Sequence, residues 1–192
     1  MKTLVFGLIL FLGAHSVRIF ADRWRSSMIV KFGDGAWKTL YSIISIIGFI
    51  LIVKGYSNAR LENIQVWSPP MWSWQITAAL NLIAFILLSA AYIPKNAFKD
   101  KLKDPMILGV KTWAFAHLIS NGSLSGILLF GSFLIWAIMD FRSCRIRRSN
   151  AKDSVVGSSI AMTLITLVVG LTSWLGFALY GHQALFGINP IA

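Results

Sequence analysis

The side chains best suited to chemistry in this 192-residue chain are its three histidines, His15, His117 and His182. His15 and His117 lie inside long apolar segments, where an imidazole needs a hydrogen bond or a ligand because hydrocarbon offers it no partner. Neutral imidazole is a common axial ligand of haem iron, and helical bundles hold cofactors between side chains of facing helices. Spacing alone leaves two interpretations of this pair open: axial ligation of haem, or hydrogen bonding to a neighbouring helix or headgroup.

The neighbours of these histidines are consistent with both interpretations. Small residues that would let a backbone or a flat cofactor approach closely flank the pair at Gly13, Ala14, Ala114 and Ala116. Arg18 either extends its guanidinium to the membrane surface or pairs with an anionic group such as a haem propionate. His182 falls just outside the last apolar segment, where histidine is ordinary, and is a secondary candidate as a wall of an outward-facing pocket.

Other kinds of site have little support in the sequence. The single cysteine, Cys144, excludes an internal disulfide and any multi-cysteine metal centre. The sequence contains no Ser-His-Asp set, no phosphate-binding glycine loop and no pair of intramembrane carboxylates. All eighteen Lys and Arg lie outside or at the ends of the apolar segments, so the net charge of +11 favours contact with anionic lipid and not with nucleic acid. Asn81 is predicted to form an interhelical hydrogen bond.

The elements that must position these residues are membrane-length helices. Hydrophobic residues make up 56% of the chain and occur in long blocks, which is typical of an integral membrane protein. The block 106–141 would rise about 54 Å as one helix, against a bilayer core of about 30 Å, so it must fold back. Asn121-Gly122 is a turn dipeptide, and Ser123 can cap a new helix. We therefore predict one all-α domain over 1–192, a six-helix membrane bundle with spans 3–20, 37–56, 71–93, 106–120, 123–141 and 158–180, in which spans 4 and 5 form a hairpin.

The distribution of cations predicts the orientation of these spans. Alternate connections are basic, with Arg18, Arg23, Arg25, Lys31 and Lys38, then Lys95, Lys99, Lys101, Lys103 and Lys111, then Arg142, Arg145, Arg147, Arg148 and Lys152. With six spans these three segments all lie on the cytoplasmic side, whereas five spans would put the third on the opposite side. The pattern predicts both termini in the periplasm of a bacterial inner membrane. The first block is interpreted as a retained helix, because its positive charge mainly follows the apolar run.

Several motifs along the chain resemble those of one bacterial membrane-protein family. They are His15-Ser16 with Arg18, Gly33-x3-Trp37-x3-Tyr41-Ser42, Asp104-Pro105-Met106-x2-Gly109-x3-Trp113-x2-Ala116-His117-x3-Asn121-Gly122, Phe130-Gly131 and Gly187-x2-Pro190. Together they resemble the NnrU family over essentially the whole chain, most specifically over 105–131. The resemblance implies a role in nitric oxide and nitrite metabolism in denitrifying bacteria, and a relation to the plant 15-cis-zeta-carotene isomerase, a haem b membrane enzyme. By this resemblance, the two histidines proposed as haem ligands in the isomerase fall on His15 and His117.

The chain departs from the related enzymes at two places. Ala114 stands where the isomerase has an alternative cysteine ligand, so this chain cannot switch ligands through that cysteine. Asp104-Pro105 stands where relatives have His-Pro, a motif shared in form with membrane methyltransferases of the isoprenylcysteine type, in which it helps to hold S-adenosylmethionine. Those enzymes also carry acidic residues near the C-terminus, whereas no charged side chain follows Asp153 here. This argues against methyl transfer.

Together with the histidine pair, the resemblance implies a haem b binding inner-membrane protein that acts in nitrogen oxide metabolism or isomerises a lipophilic polyene, either as a haem-dependent isomerase or as a redox protein. Its expected partners are membrane lipid and proteins of denitrification or haem metabolism. The alternative is a non-enzymatic scaffold or accessory factor for a denitrification complex. Counting helical residues puts His15 and His117 at depths that differ by roughly 10 Å. A tilted haem or a shifted helix is therefore required, and a larger offset would favour His117 with His182.

Overall fold

The computed structural model describes residues 1–62, 64–149, 157–188 and 190, and they fold almost entirely into helices. These are α1 (Lys2–Phe20), α2 (Asp22–Phe32), α3 (Asp34–Leu61), α4 (Ser73–Tyr92), α5 (Ala97–Leu102), α6 (Pro105–Ser120), α7 (Leu124–Ser149), α8 (Ile160–Gly176) and α9 (His182–Phe186). A π-helical turn, Phe177–Gly181, joins α8 to α9. The described residues contain no strand and a single isolated β-bridge, between Gln65 and Ser123. The all-α prediction is confirmed.

Within the described parts of the chain, five helical segments are long and apolar enough to cross a membrane. They are α1, α3, α4, α7 and the continuous segment Ile160–Phe186. This confirms a multi-pass membrane protein by length and composition. The helix at the fourth predicted span, α6, has 16 residues, so it rises about 24 Å against a bilayer core of about 30 Å. Length and composition therefore identify five spans, not six.

Several helices differ in extent from the predicted spans. Two helices that the sequence analysis did not predict, α2 and α5, occupy connecting segments. Helix α7 continues beyond 141 to Ser149, and its polar last turns are held by contacts one turn apart, such as that of the Arg147 guanidinium with the Ser143 hydroxyl. Apolar length marks where a helix meets hydrocarbon, but backbone hydrogen bonding continues into the polar region beyond it.

The predicted turn between spans 4 and 5 is confirmed at Asn121 and Gly122. Ser123 caps α7, because its Oγ accepts a hydrogen bond from the Gly126 backbone N–H at 3.1 Å. Pro105 occupies the first turn of α6, where its missing N–H costs nothing, and α4 ends at Tyr92, shortly before Pro94.

The two ends of the bundle are chemically distinct. At one, the Met1 amino group lies 2.7 Å from the Glu62 carboxylate, and the Arg60 guanidinium donates to the Phe186 carbonyl at 3.0 Å. We call this end of the bundle the terminal end, because the first residue and α9 both lie there. The other, the basic end, carries the last turns of α1 and α7, where Arg18, Arg147 and Arg148 lie.

Helix α1 packs against α3 and α7, α6 packs between α4 and α7, and α8 packs against α4. Small residues allow the closest approaches, as a Cβ added to Gly7 would lie 2.7 Å from the Ile52 backbone nitrogen. The interhelical hydrogen bond predicted for Asn81 is wrong: its amide donates to the Thr77 carbonyl of its own helix at 2.9 Å. Thr77 makes the interhelical bond instead, from its hydroxyl to the Ala116 carbonyl at 2.8 Å, because it lies one turn nearer the end of α6.

Candidate functional site

A cavity of about 630 Å³ lies within the basic end of the bundle. The C-terminal half of α1, the first turns of α3 and α6, and the C-terminal half of α7 form its walls, and α2 and α5 contribute at the rim. The volume lies within the usual range for small-molecule and cofactor sites, which is roughly 300–1,000 Å³. This cavity brings together residues from most of the polypeptide, so it is our candidate functional site.

The walls of the cavity are aromatic and apolar, whereas its rim is cationic. Rings of Phe11, Tyr41, Phe133 and Trp136 line the interior. The charged lining residues comprise six cations, Arg18, Arg25, Lys38, Lys99, Lys103 and Arg147, and three carboxylates, Asp34, Asp104 and Asp140. An apolar interior beneath a rim with excess positive charge suits a flat or elongated apolar ligand that carries an anionic group.

His15 lines this cavity with a defined tautomer. Its Nδ1 lies 2.7 Å from the Phe11 carbonyl oxygen of its own helix. Because a carbonyl can only accept, the hydrogen bond assigns the proton to Nδ1 and leaves the Nε2 lone pair free. The ring stacks on Phe11 at 4.2 Å, and the Tyr41 and Trp136 rings lie 5.1 and 5.9 Å away between centroids. An imidazole fixed in this way is arranged as metal-binding histidines usually are.

His117 has the same tautomer but lies outside the cavity. Its Nδ1 is 3.0 Å from the Trp113 carbonyl oxygen, and its ring stacks on Phe130 at 4.5 Å. The Trp113 ring contacts His117 on one side and Phe133 on the other, each at 5.4 Å between centroids, and only Phe133 of these three lines the cavity. The structure thus does not bring His15 and His117 to one cavity. Their joint ligation of haem stays a prediction.

His182 lies with His117 at the terminal end, remote from the cavity. Its Nδ1 is 2.8 Å from the Ile188 carbonyl oxygen, and its ring lies 5.3 Å from Phe186. Aromatic contacts continue from Phe186 through Tyr56 to Phe130, on which His117 stacks. The two histidines belong to one aromatic cluster there.

Arg18 lies at the cavity rim and is exposed. The other five lining cations have partners: Lys38 pairs with Asp34, Arg25 with Asp22, Lys103 with Asp100 and Arg147 with Asp140, and Lys99 donates to the Ala91 carbonyl. Arg18 forms no hydrogen bond or salt bridge within the described parts of the chain. Its charge interacts electrostatically with the Asp140 carboxylate, and its hydrogen-bond donors can meet a headgroup or an anionic ligand group.

Polar residues at the start of α6 and in the C-terminal half of α7 also line the cavity, and they were not predicted as site residues. The Asp104 Oδ1 accepts a hydrogen bond from the Arg148 guanidinium at 2.6 Å, while its buried Oδ2 has no hydrogen-bond partner. The Asp140 carboxylate lies 3.8 Å from Arg147, whose guanidinium also reaches the Cys144 sulfur at 2.9 Å. The position of Asp140 at the end of an apolar block was the one sequence feature that could have marked it as a candidate site residue. Its proximity to Asp104 and His15 depends on packing.

The described residues contain no group of three or more His, Cys, Asp or Glu that could hold a metal ion without a cofactor. Haem places a smaller demand on the protein, because the porphyrin supplies four nitrogens and the chain supplies only axial ligands.

The fold and cavity define a multi-pass α-helical membrane protein with a ligand-sized cavity at its basic end. The chain belongs to the NnrU protein family, whose model matches residues 3–190. No curated protein and no solved structure gives a match.

Proposed function

We propose that this NnrU-family protein is a bacterial inner-membrane protein that binds haem b in the basic-end cavity, with His15 as the iron ligand. One observation carries this proposal: His15 lines the cavity, and the hydrogen bond from its Nδ1 to the Phe11 carbonyl leaves the Nε2 lone pair free. A neutral imidazole held by a backbone carbonyl is the usual form of a proximal haem ligand.

The lining residues fit the shape and charge of haem b. Haem is flat and apolar apart from two propionates, and the cavity provides Phe11, Phe133 and Trp136 along its walls. Arg18 supplies a guanidinium at the rim without a salt-bridge partner in the described chain, which suits a propionate because such pairs are bidentate and charge-assisted. The residues thus fit the group that the family resemblance implies.

His117 is the proposed second iron ligand. It does not line the cavity, so it could bind iron there only after a local rearrangement. His117 contacts the Trp113 ring, which contacts Phe133, and only Phe133 of these three lines the cavity. His15 already lines the cavity and would hold the iron without such a rearrangement.

If haem is bound, it would supply a redox-active iron able to interact with nitric oxide or to polarise a double bond. The chain contributes the fixed imidazole of His15, the anion-binding guanidinium of Arg18 and aromatic walls that exclude water. We infer from the family resemblance that the reaction belongs to nitrogen oxide metabolism or to isomerisation of a lipophilic polyene, and that denitrification or haem proteins are its partners.

An absorption spectrum of the detergent-purified protein, expressed with added haem precursor, tests this proposal. The unaltered protein is expected to show a Soret band, and His15→Ala is expected to lose it. Removing a residue that only orients a metal ligand costs roughly 10–100-fold in affinity, so loss of the ligand itself should cost at least as much. His182→Ala is the matched control, because His182 also bonds a backbone carbonyl but lies at the terminal end.

The spectrum of His117→Ala decides the second ligand. A change of spin state with haem retained would assign His117 to the iron, whereas an unaltered spectrum would leave His15 alone. Haem-free protein after adequate haem supply, or haem binding unchanged in His15→Ala, would contradict the proposal. Co-purification of haem-free protein with a reductase subunit would instead support the accessory-factor alternative.

We further propose that α6 crosses the membrane as a sixth span and that both termini are periplasmic. At the start of α6, Asp104 pairs with Arg148 of the basic end, and just beyond its last residue the turn at Gly122 bonds residues 66 and 67, which follow α3 at the terminal end. The helix therefore extends between the two ends. The alternation of basic connections supports a cytoplasmic basic end.

Cysteine labelling tests this topology. In a Cys144→Ser background, single cysteines replace the exposed residues Lys101, Ser149 and Gln183. In spheroplasts, a membrane-impermeant maleimide is expected to label position 183 alone, and positions 101 and 149 should react only after lysis. Helix α7 is long and apolar enough to cross, so positions 101 and 149 share a side only if α6 crosses as well, and labelling them from opposite sides would show that α6 does not cross.

A further inference from the structure

Among the described residues, helix α2 is the longest helix in a connection of the basic end, and unlike the membrane-length helices it has no buried residue. It joins two membrane-length helices. The chain turns sharply into α3 at Gly33, whose φ of +86° lies in the left-handed region that favours glycine. The helix is thus held at the level where α1 and α3 leave the apolar core.

The side chains of α2 divide into stripes along its axis. Trp24, Met28 and Phe32 recur every four residues and form an apolar stripe, because residues four apart share a helix face. Trp24 is 53% exposed and Phe32 is 58% exposed, although both are large apolar residues. Arg23, Ser27 and Lys31 form a parallel stripe beside the first.

The cations of the second stripe have no carboxylate partners in the described chain. Arg23 and Lys31 form no salt bridge there, whereas Arg25, on another side of the helix, pairs with Asp22 at 3.7 Å and lines the cavity. An exposed apolar stripe flanked by cations is the pattern of a helix that lies in a membrane surface rich in anionic lipid.

We propose that α2 is an interfacial helix whose Trp24–Met28–Phe32 stripe inserts between lipids, while Arg23 and Lys31 bind the phosphates of anionic phospholipids. Two features favour a lipid surface over a protein partner: α2 is continuous with two membrane-length helices, and its charge is complementary to an anionic leaflet. The proposal rests on the membrane placement of α1 and α3 and is independent of haem.

The test uses full-length protein reconstituted into vesicles, with Cys144→Ser and one spin-labelled cysteine. Met28→Cys reports the apolar stripe, Ser27→Cys is the matched control on the basic stripe, and Ile47→Cys on an exposed face of α3 reports membrane insertion of the span. The measurement is the ratio of collision rates with oxygen, which concentrates in lipid, and with a neutral nickel chelate, which stays in water.

In vesicles that contain phosphatidylglycerol, the oxygen-to-nickel ratio is expected to be high at 28 and at 47 and low at 27. Arg23→Gln with Lys31→Gln should lower the ratio at 28 in these vesicles without changing it at 47, because each lost cation weakens attachment to anionic lipid by about fivefold. In pure phosphatidylcholine the unaltered protein should resemble this double variant.

Equal ratios at 27 and 28 beside a high ratio at 47 would overturn the proposal while leaving the spans in the membrane. A low ratio at 47 would contradict the membrane placement itself. A high oxygen-to-nickel ratio at position 28 that falls when the protein is diluted in lipid would show that a second copy of the protein covers the stripe. That result would also overturn the proposal.

Discussion

Gly7→Val is expected to separate α1 from α3 and to destabilise the bundle severely. A Cβ at Gly7 would lie 2.7 Å from the Ile52 backbone nitrogen and 2.9 Å from the Leu51 carbonyl carbon, so backbone atoms and not rotatable side chains oppose it. Overpacking of this kind costs about 1–3 kcal/mol, and more when the obstacle is backbone. Gly55→Val, whose Cβ would meet the Leu4 backbone nitrogen at 2.4 Å, should behave in the same way.

The matched control is Gly13→Val, two turns along the same helix, where an added Cβ meets nothing within 4 Å. Its stability should stay within about 0.5 kcal/mol of the unaltered protein. Thermal unfolding in detergent, followed by size-exclusion chromatography, measures both variants. Equal melting temperatures for Gly7→Val and Gly13→Val would show that α1 and α3 do not approach as closely as the structure has them.

Gly122→Ala is expected to detach the α6–α7 turn from the segment that follows α3. The new Cβ would lie 1.8 Å from the Trp67 carbonyl oxygen, a distance that no rotation of a side chain can relieve. The Gly122 carbonyl accepts hydrogen bonds from the Val66 and Trp67 backbone N–H groups at 2.9 and 3.3 Å, and displacement of the turn breaks both. Gly122 is buried, so its carbonyl left without a partner costs about 1–3 kcal/mol.

Hydrogen–deuterium exchange measures this change directly, because uptake at residues 66 and 67 should rise along with the fall in melting temperature. Gly131→Ala in α7 is the control, with nothing within 4 Å of its added Cβ. It should be neutral or stabilise the helix by up to about 1 kcal/mol, since alanine is the better helix former. Unchanged exchange at 66 and 67 in Gly122→Ala would refute the docking of the turn.

The sequence predicted the elements whose causes are local. The turn at Asn121 and Gly122, the Ser123 cap and the helix boundaries beside Pro94 and Pro105 all follow from the chemistry of a few adjacent residues. The helices α2 and α5 escaped prediction because a length criterion for apolar spans says nothing about short polar helices at the surface.

The candidate site was predicted only in part. His15 and Arg18 were identified, and both line the cavity. The sequence indicated a difference in depth between His15 and His117, and in the structure His15 lines the cavity whereas His117 does not. The sequence contained no indication that Asp104, Asp140 and Arg147 would share the cavity with His15.

By itself, the sequence determined that this protein is an all-α membrane protein. It also determined the positions of most of the long helices and which imidazoles lie among apolar residues. These features depend on segment length, capping and charge, which are properties of neighbours along the chain. Only the tertiary structure decided which histidine faces a cavity. That choice depends on the rotation of each helix about its axis and on how closely glycines such as Gly7 and Gly55 let α1 and α3 approach, and both are fixed by contacts between residues far apart in the chain.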